Sequence, residues 1–116
     1  MHTRYPFALA ALLAAGAVHA AAPACSIDVE GQPGKKFAPA HIVVPATCQD
    51  FTVRLIHTGK NSKEKAGHNW VLTRTEDIDA VMVDGMKAGA AHDFLAPGDG
   101  RILARTPMLG GGEAAS

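Results

Sequence analysis

The chain of 116 residues lacks net charge, holds only two cysteines, and has no long apolar run beyond its N-terminus. Eleven Lys and Arg balance 11 Asp and Glu, and the isoelectric point lies near 7.0. A nucleic-acid binder would show a basic stripe and a high isoelectric point, so no nucleic-acid partner is expected. Apolar residues make up 47% of the chain and charged residues only 19%, which does not fit a disordered polymer. Past residue 22 no apolar stretch approaches the roughly 20 residues of a spanning helix, so no membrane span is expected in the body of the chain. HExxH, a Ser-His-Asp signature and a glycine-rich phosphate loop are all missing, so no enzyme class has positive support. What remains at this length is one small domain.

What is present begins with an export signal. Arg4, with His2, makes a weakly positive start, and Phe7 to Val18 is apolar but too short to cross a bilayer. Val18-His19-Ala20 and Ala20-Ala21-Ala22 both offer the small-x-small pattern of a signal-peptidase site. The expected organisation is a secretory signal over 1–20, cleaved after Ala20 or Ala22, and a domain over 21–116. Export changes the reading of Cys25 and Cys48. In an oxidising compartment an isolated even pair favours a disulfide, which would stabilise the fold by roughly 3 kcal/mol. The alternative, a metal thiolate, would place the ligand near the N-terminus without a nearby pair of histidines.

Hydrophobic periodicity gives short strands and one helix. Cys25 to Glu30 alternates and ends at the breaker-rich Gly31-Gln32-Pro33-Gly34. Phe37 to Pro45, with Ile42, Val43 and Val44, reads as a second strand. Phe51 to His57 is the clearest: Phe51, Val53, Leu55 and His57 share one face. Thr58 to Gly67 reads as a polar loop, and His68 to Thr73 as another strand. Thr75 stands as an N-cap ahead of Glu76 and Asp77, and Ile78, Val81, Met82 and Met86 follow at helical spacing, so a helix is expected over Glu76 to Gly89. Pro97 to Gly100 is a turn, Arg101 to Thr106 a last short strand, and Gly110-Gly111-Gly112 a flexible run. Short strands separated by turns suggest a β-sandwich, with the helix inserted between strands.

Of the histidines, His41, His57, His68 and His92 follow the signal, and a lone histidine in a strand is more often structural than a ligand. One string says more. Gly67-His68-Asn69-Trp70-Val71-Leu72 resembles the azurins, the bacterial blue-copper branch of the cupredoxin family. Cys25-Ser26-Ile27-Asp28-Val29, Cys48-Gln49-Asp50-Phe51-Thr52-Val53, His57-Thr58-Gly59, Asp84-Gly85-Met86 and Gly110-Gly111-Gly112-Glu113 fall in the same order and spacing. The resemblance covers Cys25 to about Glu113. It implies a mainly β, cupredoxin-like Greek-key sandwich with one inserted helix, holding one copper ion. His68 would be a copper ligand and Gly67 a weak axial donor through its carbonyl. Asn69 would brace the site by hydrogen bonds, and His57 would be a partly buried non-ligand beside it. Trp70 would be a core indole, and Cys25 and Cys48 the family disulfide.

The chain departs from the family pattern in two places. The family's remaining ligands are a Cys, a His after Pro-Gly, and a Met on a loop between its final two strands. Here no third cysteine occurs, no histidine follows His92, and Met108 precedes the glycine run. The expectation is a truncated or frameshifted member with the last two strands missing, which alone would not hold copper. The second departure is the rim of the site. Lys35, Asn61, Lys65 and Ala66 stand where larger apolar residues are usual, beside Lys60, Lys63 and the retained Met86. That rim is either a solvated lysine loop or a preference for acidic partners. Two functions follow. One is periplasmic electron transfer between redox protein partners; the other is a non-redox, exported sandwich fragment.

Overall fold

Alternation in two segments, Ile27 to Val29 and Val53 to Leu55, generates the inner face of the main sheet. The computed structural model describes residues 15–17 and 24–116. In it β1 (Ser26–Gln32) lies parallel to β3 (Thr52–His57), in register from Ser26 opposite Thr52 to Gly31 opposite His57. A tight turn returns the chain from β1 to β2 (Lys36–Ala38), antiparallel to it. On the far side β6 (Ala114–Ala115) pairs antiparallel with β3, so the sheet order is β2-β1-β3-β6. A second, two-stranded sheet joins β4 (Val71–Leu72) to β5 (Ala104–Arg105). Its pairing continues as Thr106 N–H donating to the Trp70 carbonyl and as an isolated bridge between His68 and Leu109.

The core sits where these surfaces meet. Val29 and Leu55 point inward from β1 and β3 and, with Leu109, are almost wholly removed from water. Ile27, Ile42, Val53, Trp70 and Ala115 pack around them. This is a mainly β arrangement of two sheets with one long inserted helix, as the sequence indicates. The Cys25–Cys48 disulfide is formed, with Cα atoms 5.6 Å apart. It ties together the segments entering β1 and β3, where Thr52 N–H also donates to the Cys25 carbonyl. No helix among the described residues is long and apolar enough to cross a membrane. The expected signal over 1–20, with its cleavage sites, falls outside the described residues apart from 15–17.

Several expected elements are corrected. β1 runs on through Gly31 and Gln32, because the antiparallel return of β2 gives those residues partners. The Ile42-Val43-Val44 run is not a strand: among the described residues nothing pairs with it, and Val43 is exposed. Within Thr58 to Gly67 a single helical turn, α1 (Lys63–Ala66), forms behind Ser62. Of His68 to Thr73, only Val71 and Leu72 lie in a strand, and Arg101 to Thr106 contributes only Ala104 and Arg105. Gly110 to Gly112 is held in a turn, where Gly111 N–H donates to the Asn61 carbonyl and Gly112 N–H to that of His57.

The helix, α2, spans Ile78–Ala88, and the chain enters it through a 3-10 turn at Thr75–Asp77. Thr75 therefore lies inside that turn and caps nothing; the residue ahead of α2 is Asp77, whose side chain makes no capping bond. Glu76, Asp77 and Asp79 still suit the positive end of the helix dipole. The expected apolar stripe is only half correct. Val81 and Gly85 are buried, whereas Ile78, Met82 and Met86 are exposed. Gly85 decides the packing, since a Cβ there would overlap the Phe94 carbonyl.

A charged clamp fixes this helix to the sheets. Arg101 donates to Asp84 on α2 at 2.7 Å and to both carboxylate oxygens of Asp99 at 2.8 and 2.7 Å. Its carbonyl accepts from the Thr73 hydroxyl just beyond β4. Hydrogen bonds from Arg101 hold both carboxyls below the usual aspartate range. Because their folded values are depressed, the stability they supply is complete above about pH 4 and is lost as pH falls through the folded values. Arg101→Met is expected to lower stability at pH 7 and to flatten the acid limb of the stability curve. Chemical denaturation across a pH series checks this; an unchanged acid limb would contradict it.

Candidate metal centre

Two buried histidines meet at the end of the parallel pair. His57 closes β3 on its inward face and is 2% exposed, more deeply buried than the partly buried position the sequence suggests. His68 follows α1 and Gly67, and its backbone is held against Leu109 by bonds of 3.0 and 2.7 Å. It is 8% exposed. The two rings meet edge to face with centroids 4.7 Å apart, and Phe37 of β2 closes on His68 at 5.5 Å.

Hydrogen bonds fix the direction of each ring. His68 Nε2 lies 2.9 Å from the Gln32 carbonyl, which can only accept, so Nε2 carries the proton and Nδ1 keeps its lone pair. His57 Nε2 donates to the Ala66 carbonyl at 2.5 Å, while its Nδ1 accepts from the Gly59 N–H at 3.0 Å. Both nitrogens of His57 are therefore committed. Burial holds the His68 pKa below the ordinary imidazole value; the Gln32 carbonyl opposes this, and His57 adds to it.

Two glycines make room for these rings. A Cβ on Gly31 would stand 2.9 Å from His68 Cγ, and one on Gly59 would stand 2.7 Å from His57 Cε1. Asn69 donates from Nδ2 to the Asp93 carbonyl at 2.9 Å. That carbonyl belongs to a left-handed pair, Asp93 and Phe94, at φ 55° and 57°, where side chains other than glycine are uncommon. Gly67 is half-buried beside Met108. Trp70 packs on the core, as expected of it. His41 and His92 are exposed and make no hydrogen bond or ring contact with His57 or His68.

The sequence reading overlooked the residues that orient His68. Gly31 and Gln32 look there like turn breakers, yet they are the end of β1 that carries the ring. The only available signal was a glycine placed where a buried ring must pass close to backbone.

Residues 23–116 match the family model of copper binding proteins, plastocyanin/azurin family. The chain belongs to that family. It is 46% identical over 106 residues to the azurin of Bordetella pertussis, covering 91% of this chain and 71% of that protein. It is 45% identical over 93 residues to the azurin of Alcaligenes faecalis, covering 80% and 73%. With the azurin of Pseudomonas chlororaphis the identity is 40% over 89 residues, covering 77% and 70%.

The donor set tests how far these residues suit copper. A bare imidazole nitrogen is a donor that suits copper, as it does zinc, iron and nickel, and a hydrogen bond at the other nitrogen that orients the ring is the usual support. Both are present at His68. Cys25 and Cys48 are joined, so neither supplies a thiolate, and no three His, Cys, Asp or Glu gather to hold a metal among the described residues. The described residues thus supply one fixed imidazole and gather no further ligands around it. Gly31→Ala is expected to cost roughly 1–3 kcal/mol by forcing the His68 ring aside. Gly100→Ala, where a Cβ meets nothing within 4 Å, should be nearly neutral. Denaturant titration of both variants checks the contrast; equal effects would contradict the cradle.

Proposed function

We propose that this chain is an exported electron carrier of the blue-copper type, exchanging electrons with redox protein partners in the periplasm. The observation that carries the reading is the commitment of His68 Nε2 to the Gln32 carbonyl, which leaves Nδ1 as a fixed donor. Membership of the plastocyanin/azurin family supports it. Copper, when bound in such a centre, takes up and releases one electron. His68 would hold it through Nδ1, with the Gly67 carbonyl as a weak further donor. Asn69 would brace the loop through the Asp93 carbonyl, and His57, with both nitrogens occupied, would wall the site without binding metal. The thiolate that such a centre also needs is not among the described residues.

Secretion is part of the same proposal. Residues 1–20 would direct export and be removed after Ala20 or Ala22, leaving the domain that starts at residue 21. An oxidising compartment agrees with the Cys25–Cys48 disulfide. We assign the chain no catalytic conversion of its own.

The test uses the chain extended at its C-terminus by a segment bearing the Cys, His and Met that the family resemblance calls for. Copper loading should then give the intense thiolate-to-copper absorption, and His68→Ala should abolish it. His41→Ala and His92→Ala should leave it intact. Full blue colour in the His68 variant would overturn the assignment.

A further inference from the structure

A cavity of about 810 Å³ has neither a histidine nor any charged side chain on its wall. Ile42 and Val44 wall it from one side, Trp70 and Leu72 from another, and Val53 of β3 lies between them in the core. Two of these stretches carry unpaired backbone. The N–H and C=O groups of His41 to Val44 make no hydrogen bond among the described residues. On β4, the Trp70 and Leu72 carbonyls accept from Thr106 and Leu103, so by alternation the N–H and C=O of Val71 face the opposite edge. That edge has no strand beside it among the described residues, since β4 pairs with β5 alone. Apolar surface accompanies the open backbone: Val43 is 88% exposed, Val44 52% and Leu72 44%. Exposed edges are normally blunted by lysine or by an inward charge, and residues 40–44 contain no Lys, Arg, Asp or Glu. Only Pro39 and Pro45 bound the run, confining any pairing to the residues between them.

We infer that the chain self-associates as a two-fold dimer, in which the His41–Val44 run of each copy adds as a short strand at the Val71 edge of the other. The pairing closes both cavities. A second copy is the occupant the observations favour, because the open run and the open edge belong to one molecule. A two-fold rotation therefore supplies both contacts at once, and the ring of contacts closes. With no net charge on the chain, two copies do not repel one another at long range. The contact is small beside the roughly 1,600 Å² that a standard interface buries, so the dimer forms and dissociates with concentration. No metal enters the inference, which stands or falls apart from the electron-carrier reading.

The experiment is sedimentation of the metal-free full chain from about 10 μM to about 1 mM, a range suited to a weak interface, paired with residue-resolved amide hydrogen exchange. A monomer–dimer equilibrium is expected, with the amides of residues 42–44 and Val71 gaining protection as concentration rises. Val43→Lys should raise the dimer dissociation constant at least about tenfold, because a charge on an edge strand opposes pairing. Val83→Lys, which places the same charge at an exposed apolar residue of α2 outside the cavity, should leave it unchanged. A monomer throughout the range, or oligomers that grow past the dimer, would overturn the inference. Protection that does not depend on concentration would overturn it too, since the chain would then cover the cavity itself. So would association that persists in Val43→Lys, as it would if residues 1–20 drove it. Val43 is exposed and unbonded, so an unchanged thermal melt checks the fold of the variant, and the exchange readout on the parent chain needs no variant.

Discussion

The parallel pairing of β1 with β3 is the constraint on which the rest depends. It runs from Ser26 opposite Thr52 to Gly31 opposite His57 without interruption. Because side chains alternate across a strand, a slip of one residue would turn Val29 and Leu55 outward and carry His57 to the solvent face. The same slip would move Gly31 and Gln32, so the His68 ring would lose both its space and its acceptor. Core and histidine pair are therefore fixed by one register. The Cys25–Cys48 disulfide acts at the other end of the pair, where both strands begin.

The two histidines are held rigid by their surroundings. An imidazole free to rotate offers a metal two nitrogens and many directions, and ordering it on binding costs entropy. Here the ring of His68 is flanked by His57 and Phe37, floored by Gly31 and held by one carbonyl. His57 is fixed in turn by Ala66 and Gly59, residues of the segment that leads into His68. Loop, strand end and ring thus hold one another.

Much of this was legible from residues alone, for identifiable reasons. The strand ending at His57 is a clean two-residue alternation, and burial follows it residue by residue. Cys25 and Cys48 were an isolated even pair behind a segment that reads as an export signal. The string from Gly67 to Leu72 marked the site through its resemblance to a family, a specificity that spacing alone does not possess. What escaped depends on long-range partners. Ile42-Val43-Val44 has the composition of a strand but pairs with nothing among the described residues, and hydrogen-bonded pairing, not composition, makes a strand. The stripe of α2 has helical period, yet its buried side is set by Gly85 against the Phe94 carbonyl, which no pattern of apolar residues can reveal. Gly31 and Gln32 looked like punctuation because glycine serves turns and close approaches alike.

The central claim is that His68 is held neutral, with its proton on Nε2 and Nδ1 left bare. Long-range proton–nitrogen correlation NMR on the metal-free chain reads this directly, because protonated and bare ring nitrogens resonate far apart. At pH 7 the account predicts a protonated Nε2 and a bare Nδ1 for His68, with that pattern persisting below the ordinary imidazole pKa of about 6.5. A proton on Nδ1, an exchanging mixture of tautomers, or an imidazolium at pH 7 would contradict it.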